Sequence, residues 1–367
     1  MLMLVHILLY KMHRLSCHNY HAIGAIRLNE VYNYLIYNCT FSNNDASTVG
    51  GDTGYGGAIY ASATVPSSTD SMNIIDCTFD SNSAEYDGGA VYSFGGSYLT
   101  VSGCTFTRNA CAGGSGGALY FSSYNSNVRI SDSYFKSNKA LSVYGGAVAF
   151  WDENSDITVE SCIFNENEAV DGGGLYFFTD ITTVSLSFLE FSMNRASENG
   201  GGFYIRSADY VFMNNLNVHN NEAGGDGGGL FVQEQSNYYA LTNNLFDSNV
   251  ARYHGGGLFF GSRCQYIGMN NVTVSSNSVT FQGAGIYMYA RNEYIYIHDS
   301  SIVNNTGAYS GGGVYIDQNS YNITFDNMEF SGNTASEVGA MYIGISNSLI
   351  SIENTLFSSN SGVRGDV

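Results

Sequence analysis

The chain has 367 residues and a formal net charge of −19, with 32 acidic residues against 13 Lys and Arg. So few basic residues argue against a nucleic-acid partner, because phosphate binding depends on a basic surface, and against attraction to anionic lipid. One Pro and 44 Gly are present. The Gly residues recur in register with a repeat, which indicates required backbone conformations rather than a low-complexity sequence.

The N-terminus begins with an apolar run, Met1 to Tyr10, followed by Lys11, His13 and Arg14. The positive charges follow the apolar run instead of preceding it, and no small-residue cleavage site is evident. A ten-residue run is too short to span a bilayer as a helix. We interpret residues 1–21 as a degraded or incomplete export leader. Residues 22–367 are expected to form a single repeat domain that ends as if truncated.

Two short phrases recur along residues 22–367. The first is Phe79-Asp80-Ser81-Asn82, and the second is Gly88-Gly89-Ala90-Val91-Tyr92. After one wider gap, the Asn positions of the first phrase are 27 to 29 residues apart. Self-similarity at a fixed period of this size is typical of a stacked repeat architecture.

Each repeat contains three short segments with alternating polarity, such as Leu119–Phe121, Val128–Ile130 and Ser133–Phe135. Apolar residues do not recur at helical spacing, so helices do not fit. Parallel strands stacked about 4.8 Å apart and the usual crossover handedness predict a right-handed parallel β-helix. We therefore predict an all-β solenoid of about 12 coils of 27–29 residues, with three strands per coil.

The repeated Asn has a predicted structural role at a corner of each coil. Asn tolerates the left-handed backbone region, and its amide can donate to and accept from the same residue one coil away. The predicted ladder contains Asn82, Asn109, Asn138, Asn167, Asn194, Asn221 and Asn249. The Gly pair before the first strand allows positive φ or close contact between coils.

Aromatic residues occupy the middle of the first strand in most coils. If these positions face outward, they form an exposed stripe suited to binding a protein or a sugar. The candidate binding residues are Tyr120, Tyr176, Tyr204, Tyr287 and Tyr315. The alternative is that stacked Tyr residues merely favour β-structure.

Cysteine and polar residues also recur at equivalent positions of successive repeats, and each set has two possible roles. Cys39, Cys77, Cys104 and Cys162 precede Phe by two residues, and they are either free core thiols or inter-coil disulfides such as Cys77 to Cys104.

The position before the Gly pair includes Asp171, Asn199 and Asp226, which could hold Ca²⁺ or simply cap turns. Glu153 and Asp180, in adjacent coils, are either a glycosidase-like carboxylate pair or solvated loop residues. No metal and no cofactor is predicted.

The paired phrases Gly-Gly-Ala-[Ile/Leu/Val] and Phe-x-x-Asn resemble the repeats of the chlamydial polymorphic outer membrane proteins. The resemblance covers roughly residues 22–361. It implies a right-handed β-helix of the pectin-lyase-like type that acts as the adhesin passenger of an autotransporter. The chain departs from that pattern where Gly replaces Ala, as in Gly200-Gly201-Gly202.

From these features we expect a non-enzymatic extracellular or cell-surface protein, an adhesin-like passenger or a rigid display scaffold. Its expected partner is a protein or glycan on another cell surface, with a capping partner or a further C-terminal domain covering the last coil. If the source is bacterial, the outer membrane is the expected location. The alternative is a polysaccharide-active β-helix enzyme, a lyase or glycoside hydrolase, whose groove runs along the first strand.

Overall fold

The computed structural model describes residues 8–10, 24–30, 33–47, 54–63 and 71–362. These residues form a parallel β-solenoid of about ten turns with four parallel sheets and no helix. None of them belongs to a helix of the length and apolarity needed to cross a membrane. The predicted all-β parallel solenoid is therefore confirmed.

Each typical coil contributes four strands, where the sequence predicted three. The additional strand is only two residues long and directly follows the repeated Asn, as in Ser83–Ala84. Its single inward residue is Ala84, which is buried. A strand of two residues is too short to show an alternating pattern, so the sequence reasoning treated this segment as a corner and a loop.

The chain divides into two compact units. Unit 1 comprises residues 1–170 and 174–185, and unit 2 comprises residues 171–173 and 186–367. We call the four sheets the first, second, third and fourth sheet, in the order in which the strands of one coil follow its Gly pair.

In unit 1 the strands of the first sheet are Ile26–Asn29, Ile59–Ser62, Val91–Phe94, Leu119–Phe121, Val148–Phe150 and Leu175–Phe177. Those of the second sheet are Leu8–Tyr10, Tyr34–Tyr37, Met72–Ile75, Ser97–Ser102, Ser126–Ser131, Ser155–Glu160 and Ile181–Ser187, whose last two residues are counted with unit 2. Those of the third sheet are Thr40–Ser42, Thr78–Asp80, Thr105–Thr107, Tyr134–Lys136 and Ile163–Asn165. Those of the fourth sheet are Asp45–Ala46, Ser83–Ala84, Ala110–Cys111, Lys139–Ala140 and Glu168–Ala169.

In unit 2 the strands of the first sheet are Phe203–Ile205, Leu230–Glu234, Leu258–Ser262, Ile286–Ala290, Val314–Gln318 and Met341–Ile343. Those of the second sheet are Ala208–Asn214, Asn237–Thr242, Gln265–Asn270, Glu293–His298, Tyr321–Asp326 and Ser348–Glu353. Those of the third sheet are Glu190–Ser192, Asn217–His219, Leu245–Asp247, Thr273–Ser275, Ser301–Val303, Glu329–Ser331 and Leu356–Ser358. Those of the fourth sheet are Arg195–Ala196, Glu222–Ala223, Val250–Ala251, Ser278–Val279 and Thr306–Gly307.

The core is built from identical columns of inward side chains. In the third sheet of unit 1, Phe79 lies 4.7 Å from Phe106 and Phe106 lies 4.9 Å from Phe135, measured between ring centroids. All three rings are fully buried and nearly parallel. Burial of such a side chain stabilises the fold by about 1.5–3 kcal/mol. The same column occurs in unit 2, where Val218, Val274 and Ile302 replace Phe in three coils and keep the position apolar.

The seven predicted ladder asparagines are buried, and their amides bond between coils within each unit. The backbone N and Nδ2 of Asn82 donate to Asn109 Oδ1 at 3.0 and 2.9 Å, and Asn109 Nδ2 donates to the carbonyl of Phe79. In unit 2, Asn194 Nδ2 donates to Asn221 Oδ1 at 3.0 Å. Each such amide satisfies backbone groups that the corner would otherwise leave unpaired.

The left-handed backbone conformation lies one residue earlier than the sequence reasoning placed it. Ser81 and Arg108, which precede ladder asparagines, have φ of 55° and 54°. The Asn keeps an ordinary φ because its side chain must point inward to its neighbours. In the Gly pair both expected roles occur: Gly88 has φ of 69°, and a Cβ on Gly89 would lie 2.1 Å from the carbonyl oxygen of Gly117.

The cysteines that the structure describes are free and buried: Cys39, Cys77, Cys104, Cys111, Cys162 and Cys264. Burial raises the pKa of the Cys162 and Cys264 thiols to about 12. These thiols therefore stay protonated and serve as small apolar core residues.

Candidate functional site

The expectation that the five candidate tyrosines form an exposed stripe is wrong. Tyr120, Tyr176, Tyr204, Tyr287 and Tyr315 are only 1% to 8% exposed. They alternate with inward-pointing residues, so their side chains project from the outer face of the first sheet. There they are covered by their stacked neighbours and by side chains from adjacent turns, which the spacing of one strand does not reveal. A role of these residues in binding stays a prediction.

In unit 2 the outer face of the first sheet carries a continuous stack of rings. Centroids of consecutive rings lie 4.5 to 5.3 Å apart. We call this stack the aromatic row, and its members are Tyr204, Phe231, Phe259, Tyr287, Tyr315 and Tyr342. Tyr204 is tied to the strand residue beside the row, because its hydroxyl donates to Gln233 Oε1 at 2.5 Å.

The residues before the Gly pairs form a polar chain along one flank of this face. Asp171 Oδ1 accepts hydrogen bonds from the backbone N and Nδ2 of Asn199, at 2.8 and 3.1 Å. Asn199 Oδ1 in turn accepts from the backbone N of Asp226 at 2.9 Å. These oxygens therefore cap the turn of the next coil. Among the described residues no group of His, Cys, Asp and Glu is arranged to hold a metal ion.

The polar chain ends in a histidine that the sequence reasoning did not select. Asp226 Oδ1 accepts from the backbone N of His254 at 2.9 Å and lies 2.8 Å from His254 Nδ1. The imidazole ring is 4.5 Å from the ring of Tyr287. The Tyr287 hydroxyl donates to Asp317 Oδ2 at 3.3 Å. We call Asp226, His254, Tyr287 and Asp317 the acid–base cluster.

Burial and neighbouring groups shift the pKa of two members of the acid–base cluster, Tyr287 and Asp317. Burial, together with the nearby Asp317 carboxylate, raises the pKa of Tyr287, so its phenol stays protonated. Burial also raises the pKa of Asp317, against the opposing effects of the Tyr287 hydrogen bond and of His254. The side chains of His254 and Asp226 remain 27% and 24% exposed, so solutes can reach them.

The arrangement is suited to proton transfer at His254. Asp226 engages Nδ1, and Nε2 has no hydrogen-bond partner within the described part of the chain. An imidazole that is oriented through one nitrogen can accept or donate a proton with the other. The four members come from successive coils and are far apart in sequence. The site could have been found from the sequence by comparing two positions across coils: the residue before each Gly pair and the aromatic residue in the middle of the first strand.

Unit 1 carries a different set of side chains on the same outer face. The rings of Trp151 and Phe178 stack with centroids 3.9 Å apart, and those of Tyr144 and Tyr176 are 4.4 Å apart. Trp151, Tyr144 and Phe178 are partly exposed, so they form an aromatic platform. Partly exposed aromatic rings suit contact with sugars or proteins.

The suggested carboxylate pair of unit 1 lies at exposed corners. Glu153 and Asp180 are both exposed and both have φ of 51°. Their positions match the solvated-loop alternative. A catalytic role for the pair therefore has no support from burial or from a shared pocket.

The sequence matches the family described as right-handed β-helix region over residues 16–246. A comparison with proteins of curated function found no match.

Among solved structures, the Azotobacter vinelandii mannuronan C-5 epimerase AlgE4 A-module is similar, with a TM-score of 0.49 and 12% identity. That similarity covers 94% of this chain and 91% of that chain. The periplasmic alginate epimerase AlgG has a TM-score of 0.48 and 10% identity, covering 81% and 76%. PfbA, a surface adhesin of Streptococcus pneumoniae, has a TM-score of 0.44 and 11% identity, covering 88% and 83%.

These similarities correct the expectation that the chain is not an enzyme. Epimerases occur beside an adhesin among the chains of similar architecture. A solenoid without an evident sequence motif therefore gives no ground for excluding catalysis. At such low identity the similarity carries nothing about the reaction or the substrate, which have to be argued from the side chains themselves.

Proposed function

Since this chain belongs to the right-handed β-helix family, we propose that it is a polysaccharide-active protein whose glycan lies on the outer face of the first sheet in unit 2. The observation that carries the proposal is the acid–base cluster, in which Asp226 holds His254 Nδ1 at 2.8 Å beside a protonated Tyr287. An oriented, partly exposed imidazole is what acid–base chemistry on a bound sugar needs.

His254 is the residue that meets the reacting sugar. It is the exposed end of the polar chain, and its Nε2 is the atom available for proton transfer. Asp226 is a positioning residue, since its carboxylate engages both the backbone and the ring of His254. Tyr287 supports the ring by packing against it at 4.5 Å, and Asp317 holds the Tyr287 hydroxyl.

The neighbouring surface has the mixed character of a sugar-binding face. Glycan recognition combines aromatic surface with polar groups that fix hydroxyls. The exposed rings at the cluster are those of Tyr253 and Phe281, whose centroids lie 6.4 and 6.0 Å from the His254 ring. Polar groups come from Gln233, Gln282 and Asp317, which are partly exposed. The acidic composition argues against nucleic acid as the ligand.

A polysaccharide ligand suggests an extracellular or cell-surface location, and the partner is then a glycan on a cell surface or in a matrix. The resemblance of the repeats to the chlamydial outer membrane proteins supports the same location. That finer family relation, an outer-membrane position and adhesin-like display of the bound glycan remain predictions. They are compatible with a protein that both binds and modifies its ligand.

The test is a screen of purified full-length protein against neutral and acidic polysaccharides. New chain ends would be measured by size-exclusion chromatography, and altered sugar configuration by NMR. We expect turnover of at least one polysaccharide. His254→Gln, which keeps hydrogen-bonding capacity but cannot titrate, should lower kcat by roughly 10²–10⁴-fold.

The matched control is His298→Gln. His298 also pairs with a carboxylate, with Nδ1 2.9 Å from Asp299 Oδ2, and is equally exposed, but it lies on the second sheet. It should leave kcat unchanged. Equal activity of the two variants, or saturable glycan binding without any turnover by the wild type, would contradict the proposal.

A further inference from the structure

Five of the ten Lys and Arg residues in the described part of this acidic chain form an ion pair with a carboxylate on an adjacent coil. The five such ion pairs are Arg108–Asp80, Arg129–Glu160, Lys136–Glu166, Lys139–Glu168 and Arg195–Glu222. The partner follows from the stacking, because charged residues in one column of successive coils lie side by side. A basic residue without such a partner keeps a charge that no neighbouring carboxylate offsets.

Arg263 and Arg291 have no carboxylate partner of this kind, and they occupy the same corner in consecutive coils of unit 2. The strands that precede them pair in register, with Ser262 opposite Ala290. Both arginines follow directly, with φ of 60° and 57°, and both are exposed. Among the described residues neither forms an ion pair or a side-chain hydrogen bond.

The two arginines border a depression of about 250 Å³. Its other lining residues are polar or amphipathic: Ser262, Tyr289, Gln318 and Asn319, with Ala290 at the base. The lining contains no carboxylate. The backbones of the two arginines are one coil spacing, about 5 Å, apart, so their like charges lie on the same side of the molecule and repel each other. The lining offers no opposite charge to offset that repulsion.

An anion in the depression would remove this repulsion. Guanidinium groups bind carboxylate and sulfate through paired, charge-assisted hydrogen bonds, and their planar geometry favours such oxyanions. The hydroxyl and amide groups of Ser262, Gln318 and Asn319 can complete the coordination of the remaining oxygens.

The depression adjoins the acid–base cluster along the chain. Gln318 directly follows Asp317, and Tyr289 lies two residues after Tyr287 on the same strand. We propose that Arg263 and Arg291 form an anion-binding subsite for a carboxylate or sulfate group of the bound glycan. The proposal rests on the function proposed above and assigns acidic polysaccharides as its ligand class.

The test compares two double variants that remove the same charge. Arg263→Gln/Arg291→Gln removes the subsite, and Arg108→Gln/Arg129→Gln removes two exposed arginines of unit 1. Binding of alginate, chondroitin sulfate and neutral dextran would be measured for each by calorimetry, with inorganic sulfate as a separate probe. We expect the subsite variant to bind the acidic glycan about a hundredfold more weakly, roughly tenfold for each lost arginine.

The outcomes separate the subsite from the function. A loss with alginate, which carries no sulfate, assigns carboxylate, whereas a loss confined to chondroitin sulfate, which carries both groups, assigns sulfate. Equal losses in both double variants, or no loss in either, would overturn the subsite even if His254→Gln abolishes turnover. If no glycan is turned over but inorganic sulfate binds the wild type and not the subsite variant, the subsite stands and the proposed function fails.

Discussion

The outer face of the first sheet differs between the two units, although the inner face does not. In unit 1 it carries the Trp151–Phe178 stack, and in unit 2 it carries Asp226 and His254. All three histidines that the structure describes belong to unit 2. The same coil therefore supports different chemistry, because outward positions are free of the constraint that stacking imposes on inward ones.

The largest expected difference between the two faces concerns the carboxylate before the Gly pair. Asp226→Asn should lower kcat by roughly a hundredfold, because the amide no longer fixes the His254 tautomer or stabilises its charged form. Asp87→Asn alters the corresponding position of unit 1, where the carboxylate accepts a hydrogen bond from the backbone N of Ser115 and, among the described residues, from no histidine. It should leave kcat unchanged. Steady-state kinetics of both variants would show this contrast, and equal losses would break it.

The buried Asn ladder, in contrast, should respond equally in both units. Asn109→Ala removes the acceptor of Asn82 and the donor to the Phe79 carbonyl, and Asn221→Ala does the same for Asn194 and Phe191. Each should lower the free energy of unfolding by about 1–3 kcal/mol, because buried partners are left unpaired. Urea unfolding measures the effect. A loss in one unit only would mean that the cores differ after all.

The polar chain of unit 2 should also make stability depend on pH. Burial raises the pKa of Asp171 to about 6, above the ordinary value near 4. Its stabilising contribution is therefore complete below pH 4, falls as pH rises from about 4 to 6, and stays lost above that range. Relative to Asp171→Asn, the wild type should lose about 1–2 kcal/mol of unfolding free energy across this window.

Urea unfolding of both proteins at several pH values checks the prediction. Asp299→Asn is the control, because hydrogen bonds from Asn327 and His298 lower the pKa of Asp299. The Asp299→Asn variant should keep the wild-type decrease of the unfolding free energy between pH 4 and 6. A wild type and an Asp171→Asn variant with parallel profiles would show that Asp171 is not buried as described.

The smallest effects are expected at the exposed ion pairs between coils. Arg195 and Glu222 in unit 2 lie 3.4 Å apart with side chains 64% and 55% exposed. Lys139 and Glu168 in unit 1 lie 2.7 Å apart with exposures of 48% and 49%. Arg195→Gln and Lys139→Gln should each change the unfolding free energy by about 0.5 kcal/mol or less. Thermal unfolding would reveal a larger effect if either pair belonged to a stabilising network.

The sequence predicted the inward columns well, because stacking imposes the same demand on every coil. Phe79 and Asn82 recur because an aromatic ring stacks well on the same ring one coil away, and an amide can both donate to and accept from the same amide. The same repetition gave the period, the parallel strands and the absence of helices. The two-residue fourth strand escaped notice because one inward Ala84 carries no pattern.

The outward columns were harder to predict, because their burial depends on side chains from other coils. Tyr287 looked exposed by alternation, yet stacked neighbours and His254 cover it. The His254 site draws on successive turns and occurs once, so no repeat marks it. Residues that recur in every coil identify the scaffold, whereas the candidate site is formed by residues that differ from one coil to the next.

A structure of the His254→Gln variant with an oligosaccharide that the wild type turns over tests the central claim most directly. We predict that the sugar lies on the outer face of the first sheet in unit 2, with one of its atoms within hydrogen-bonding distance of residue 254. A sugar bound instead on the second sheet, or only on the Trp151 platform, would contradict the assignment of the acid–base cluster as the reactive site.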